Sequence, residues 1–164
     1  MLAAALLVGV AGCGGGGEPE AQAAALGSAP LVDRTTAQFE EDLAALSGQV
    51  VVVNFWASWC EPCKREMPAL QRVHEEYAEQ PVTVIGVDSS DVRSDAEAFL
   101  DSAGVTFPTV YDPEGTQGGI ASRWQVAALP QTWFLAKDGT RSSRYASEID
   151  EDELRTRIEQ LLAD

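Results

Sequence analysis

Cysteine, histidine and basic residues are the scarce components of this 164-residue chain. Three cysteines, Cys13, Cys60 and Cys63, are too few for a disulfide-stapled miniature scaffold, and the chain is long enough to bury a core without one. His74 is the only histidine, so imidazole-rich metal centres are excluded. Eleven lysines and arginines stand against 26 aspartates and glutamates, a net charge of −15. A surface so acidic repels phosphate backbones and argues against nucleic acid as a partner. The longest apolar run, from Met1 toward Gly17, is short of the roughly 20 residues of a usual membrane span, and no second run competes with it. What remains is 45% apolar residues with 8 prolines and 14 glycines, a globular composition at one-domain length.

The N-terminal run reads as an address. Leu2 to Ala11 is apolar, and Cys13 closes the sequence Val10-Ala11-Gly12-Cys13, which resembles a bacterial lipoprotein lipobox. The resemblance implies a signal peptide over residues 1–12, acylation of Cys13 and an extracytoplasmic, membrane-anchored protein. A short secretory signal with an incidental cysteine is the alternative. Residues 13–30 are rich in glycine, alanine and proline and read as a flexible tether, leaving 31–164 as the folded domain.

Within that domain, hydrophobic spacing predicts helices over 37–46, 61–79, 95–103, 119–124 and 150–163. Pro68 is expected to kink the second of these. The runs 49–56 and 82–87, the first containing four consecutive valines, read as strands buried on both faces. An extended piece at 107–111 is followed by a turn, and 131–136 and 140–146 flank Lys137-Asp138-Gly139 as a hairpin. Strands alternating with helices, then a terminal hairpin and helix, predict an α/β fold with a central mixed sheet flanked by helices.

The chemistry concentrates in Trp56-Ala57-Ser58-Trp59-Cys60-Glu61-Pro62-Cys63-Lys64, where a buried strand gives way to a helix. Two cysteines three residues apart at a helix start are one turn apart and can close a small disulfide ring. The first thiol meets free N–H groups and the helix dipole, which stabilise a thiolate. The second is shielded one turn in. Cys60 can therefore attack a foreign disulfide and Cys63 can resolve the mixed disulfide. Pro62 costs little in a first turn. A zinc site would need about two more soft ligands. His74 lies roughly 16 Å along the helix, so no metal is expected, and His74 reads as a solvated helix residue.

Trp-Cys-Glu-Pro-Cys-Lys after a buried strand resembles the thioredoxin fold, and the details resemble its TlpA/ResA/DsbE (CcmG) branch of tethered extracytoplasmic thiol–disulfide oxidoreductases. The matching pieces are Asn54-Phe55-Trp56-Ala57, Glu66-Met67-Pro68 and Leu129-Pro130-Gln131-Thr132, with a family-type insert between the second buried strand and the proline. The resemblance implies a cis peptide at Pro130, packed beside the cysteines. It implies a substrate groove shaped by Trp59, Glu61, Pro62, Leu129 and Pro130, with Trp56 as a further apolar wall. Ordinary thioredoxins carry an aspartate where this chain has Asn54, so another carboxylate is expected to move protons. Glu61 inside the active loop, and Asp88 and Asp91 after the second strand, are the candidates.

The function so implied is exchange with protein thiols or disulfides through a Cys60–Cys63 dithiol, without a bound cofactor, in a monomer that trades electrons with a membrane thiol–disulfide partner. The direction expected is reduction, with apocytochrome c thiols as one class of substrate, because Glu61 opposes thiolate formation at Cys60 with no cation in the bridge to offset it. An oxidase of secreted proteins is the alternative. A peroxiredoxin-like peroxidase and a redox-silent binding module weigh less.

Overall fold

The computed structural model describes residues 31–164; the signal peptide, Cys13 and tether readings lie outside the described residues. The chain runs β1 (Val32–Asp33), α1 (Thr36–Ala45), β2 (Val50–Trp56), α2 (Glu61–Glu76), β3 (Val82–Ser89), α3 (Arg93–Ala103), β4 (Thr109–Asp112), a 3₁₀ turn (Gly115–Gln117), α4 (Ile120–Arg123), β5 (Gln131–Leu135), β6 (Arg141–Tyr145) and α5 (Glu151–Ala163). Six strands form one sheet in the order β1-β4-β3-β2-β5-β6. β1, β4, β3 and β2 run parallel, and β5 and β6 join antiparallel, which gives the mixed sheet that the element order predicts.

β2 is central, and every one of its residues is buried. Alternation along a strand sends successive side chains to opposite faces. Val50, Val52 and Trp56 join the cluster formed with Met67, Leu70 and Val73 of α2, Leu100 of α3 and Leu154 and Ile158 of α5. Val51, Val53 and Phe55 join the other, with Phe39 and Leu43 of α1 and Ile120 of α4. The valine run is thus a strand between two apolar layers.

Local chemistry sets the helix ends. Thr35 accepts from the backbone N–H of Gln38, whose side chain answers to the Thr35 N–H, a capping box that starts α1. Asp150 caps α5 ahead of three acidic residues at the positive end of the dipole. Gly104 ends α3 at φ 65°, the left-handed conformation that favours glycine.

Several boundaries differ from the sequence reading. α2 ends at Glu76, with Tyr77 as its C-cap and Pro68 inside it on the exposed side. β3 runs on to Ser89, which places Asp88 inside the strand rather than after it. α3 begins at Arg93. The two-residue β1 carries no periodicity to betray it and exists through its pairing with β4. The stretch between β3 and Pro130 holds α3, β4, the 3₁₀ turn and α4. Asp112 stitches it together by accepting from the backbone N–H groups of Gly115, Ile120 and Ala121.

Candidate active site

β2 ends at Trp56, the chain turns through Ala57-Ser58-Trp59, and Cys60 is the N-cap of α2. Cys60 and Cys63 are joined by a disulfide with their Cα atoms 5.2 Å apart. Cys60 keeps 5% of its surface exposed and Cys63 none. The Cys63 N–H donates to Cys60 Sγ at 3.3 Å. Such a contact at a helix start favours sulfur as thiolate once the disulfide opens. Pro62 is half-buried in the first turn of the helix, where the missing N–H has no intrahelical role to play.

The Leu129–Pro130 peptide is cis. Its position follows from register: Gln131, the next residue, pairs with Phe55 near the end of β2, so Pro130 comes to the sheet end from which the cysteine loop emerges. Pro130 is buried and Leu129 half-buried. Trp59 is 59% exposed, and its indole N–H donates to the Ser90 carbonyl at 3.2 Å. A pocket of about 240 Å³ lies between the two loops, with Trp59 and Leu129 on its sides. Trp56, expected as a groove wall, is fully buried and packs on Phe99 at 5.4 Å between ring centres, because its even register in β2 turns it into the core.

The acids differ most from expectation. Glu61 is exposed and ion-paired with Lys64 at 2.8 Å, which holds its carboxyl below the ordinary range. The cation that offsets Glu61 is Lys64, one turn along the helix and outside the two-residue bridge. Asp91 lies in the loop after β3, where its carboxylate accepts from the Ser58 N–H, from Ser58 Oγ at 2.9 Å and from the Val92 N–H at 2.7 Å. Asp88 is completely buried. Burial, and then the negative charge of Asp91, push its carboxyl up to about 9. His74 is half-buried rather than solvated and sits edge-on to Phe107 at 6.0 Å. Burial pulls its imidazole down.

A further acid escaped the sequence reading. Glu66 keeps 2% of its surface exposed and lies one turn beyond Cys63 on the buried face of α2. Its Oε1 accepts from Asn54 Nδ2 at 2.8 Å and its Oε2 from the Ile149 N–H at 2.9 Å. Asn54 Nδ2 also reaches Thr132 Oγ1 at 3.0 Å. Burial lifts the Glu66 carboxyl to about 7, and these two donors oppose the rise. The signal was present: a glutamate at i+3 from Cys63, inside the stripe Cys63, Met67, Leu70, is a charged residue at an inward position. Asn54 therefore holds a carboxylate in place rather than supplying one.

Residues 27–140 match the AhpC/TSA family. The thiol-disulfide oxidoreductase ResA of Oceanobacillus iheyensis is 34% identical over 108 residues, 66% of this chain and 53% of ResA. The chain thus spans about half the length of the curated relatives it matches. Among solved structures, a thiol:disulfide interchange protein DsbE from Chlorobium tepidum superposes with a TM-score of 0.67 at 25% identity, over 73% of this chain and 84% of that one. A secreted thiol-disulfide isomerase from Corynebacterium glutamicum gives 0.66 at 28% identity, over 74% and 75%. With a mixed sheet flanked by helices and a Cys60–Cys63 pair at a helix start, the chain belongs to the AhpC/TSA family and has the thioredoxin-like fold of the ResA and DsbE proteins.

Proposed function

We propose that the protein is an extracytoplasmic thiol–disulfide oxidoreductase that reduces disulfides in other proteins. The observation that carries this is the Cys60–Cys63 pair at the N-terminus of α2, set against a cis Leu129–Pro130 peptide, with the buried Glu66 one turn beyond the inner cysteine. The names of the relatives and neighbours support the same chemistry.

In the reduced protein, the Cys60 thiolate attacks one sulfur of a substrate disulfide. A Cys60–substrate bond forms, the substrate S–S bond breaks, and the leaving sulfur takes a proton. Cys63 then gives its proton to the Glu66 carboxylate and attacks the Cys60 sulfur; the Cys60–substrate bond breaks, the intramolecular disulfide is restored, and the second substrate sulfur leaves and takes a proton back. Two electrons pass to the substrate, which leaves as a dithiol. A carboxyl held near 7 can accept and return that proton at neutral pH. Electrons reside in the thiols, so the reaction needs no bound cofactor. A membrane thiol–disulfide partner re-reduces the pair, and lipidation at Cys13 keeps the domain at that membrane. Trp59, Leu129 and Pro130, with Pro62 beside them, form the groove for an extended polypeptide, of which apocytochrome c is one example.

Reduction is favoured because little stabilises a Cys60 thiolate. Pro62 has no N–H to offer, and among the described residues the Cys63 N–H is the hydrogen-bond donor to Cys60 Sγ. A less stabilised thiolate makes the reduced form the better electron donor. The test pairs trapping with potential. Cys63→Ser should accumulate mixed disulfides with disulfide-bearing substrate proteins through Cys60, and Cys60→Ser should not. Trapping through Cys63 would reverse the roles. A reduction potential near about −120 mV, that of a strong oxidant, would replace reduction by disulfide formation.

A further inference from the structure

Asp91 is buttressed like a structural element, although it stands on a surface loop. Three hydrogen bonds cross from the cysteine loop to the loop after β3. The Ser58 N–H and Ser58 Oγ both donate to the Asp91 carboxylate, the second at 2.9 Å, and Trp59 Nε1 donates to the Ser90 carbonyl at 3.2 Å. The receiving loop is itself held. The Val92 N–H closes on Asp91 Oδ1 at 2.7 Å, Tyr111 Oη donates to the Asp91 carbonyl at 3.1 Å, and the Ser90 N–H donates to the Asp112 carbonyl at 3.1 Å. Ser90 adopts φ 58°, a left-handed conformation that a serine takes up only where its surroundings impose it. Gly115 packs against it so closely that a Cβ there would lie 1.9 Å from Ser90 Oγ.

We propose that Asp91 is a positioning residue: its carboxylate clamps the Ser58-Trp59 turn, and thereby fixes both the exposed Trp59 side of the groove and the placement of Cys60 at the N-cap of α2. Ser58 and Trp59 are the two residues before Cys60, and Cys60 is reached through a turn closed by its own N–H on the Ala57 carbonyl at 3.1 Å. Freedom in the Ser58 peptide becomes freedom in the sulfur. A clamp of this kind acts by accepting hydrogen bonds, with both carboxylate oxygens already engaged in doing so. It does not donate or collect the proton of the reaction. Charge-assisted bonds to backbone N–H groups are the stronger class and suit the task.

The catalytic consequence rests on the dithiol reading above, so the test separates the two. Asp91→Ala, Asp91→Asn and Ser58→Ala are made in the full chain. Amide hydrogen exchange over residues 58–60 reads the clamp without any activity. Disulfide exchange by the pre-reduced protein, followed across pH, reads its consequence. Asp91→Ala should speed exchange at residues 58–60 at least about tenfold and slow disulfide reduction about five- to tenfold, with the midpoint of the pH profile unmoved. Asp91→Asn keeps an accepting oxygen and should recover at least about half of the rate. Ser58→Ala, which removes one bond of the set, should show a smaller change in the same direction and decides the matter if Asp91→Ala does not fold. Unchanged amide exchange in the variants overturns the clamp. An Asp91→Asn variant as slow as Asp91→Ala, with a displaced pH midpoint, overturns it in favour of proton transfer. A wild-type protein that exchanges no disulfides removes the dithiol reading, and amide exchange still decides the clamp.

Discussion

Asp88→Asn should make the protein more stable at neutral pH, and the gain should grow with pH. Asp88 is fully buried in β3, and neither of its carboxyl oxygens accepts a hydrogen bond from a donor among the described residues. Burial and the Asp91 charge raise its carboxyl from 3.8 to about 9. The folded protein therefore carries Asp88 protonated at pH 7, whereas the unfolded chain carries it ionised. A raised carboxyl means that the folded state binds more protons, so stability falls as pH rises from the unfolded value toward the folded one. Neutral pH lies about three units above the unfolded value, at about 1.4 kcal/mol each. Holding the proton thus costs about 4 kcal/mol at pH 7, an upper figure for a site that relaxes. Asparagine has the shape of the neutral acid and no proton to hold. The assay is urea unfolding of the oxidised domain at pH 4, 5.5, 7 and 8.5, wild type against Asp88→Asn. The stability difference should be near zero at pH 4 and open by up to about 1.4 kcal/mol per unit above it. Parallel curves across that range, or a variant less stable than wild type at pH 7, would refute a neutral Asp88 in the folded state.

Glu66→Gln should flatten the pH dependence of the resolving step around pH 7, because the carboxyl lifted to about 7 is the group removed. Thiol trapping of the Cys60-linked intermediate in stopped flow reads that step, and a wild-type profile in the variant would release Glu66 from the proton path. Intact mass of the protein recovered from a membrane fraction should show a diacylglycerol-modified Cys13 at the N-terminus, and an unmodified cysteine or a cleavage elsewhere would remove the anchor.

The parts of the site legible in the sequence are those written in contiguous residues. Trp59-Cys60-Glu61-Pro62-Cys63 names its own strand-to-helix junction, and Leu129-Pro130 sits one residue ahead of a strand whose composition is plain. The valine run and the stripe Met67, Leu70, Val73 placed the sheet and its covering helix correctly. What was missed is what depends on third dimensions or on a boundary. A strand ending at Val87 leaves Asp88 in a loop, and two more residues of pairing with β4 bury it. Glu61 looks unopposed within the two-residue bridge because its cation lies one helical turn away. Trp56 is expected as a wall of the groove, while strand register turns it inward.

Both buried acids flank the dithiol loop from opposite ends of the same short stretch of sheet. Glu66 touches β2 through Asn54, and Asp88 is the register partner of Trp56, the last residue of β2. They do different physical work. Glu66 has two donors, so its proton can leave at near-neutral pH at modest cost. Asp88 has none, so its proton stays. A neutral Asp88 matters to its neighbour. An ionised carboxylate there would repel Asp91 in a partly dehydrated setting and loosen its hold on Ser58, whereas a protonated one leaves Asp91 to accept from Ser58 without a competing charge. Asp88→Asn should accordingly leave amide exchange at residues 58–60 as slow as in the wild type even as it stabilises the fold. Exchange accelerated to the level of Asp91→Ala would show that the clamp draws on Asp88 itself, and not merely on its lack of charge.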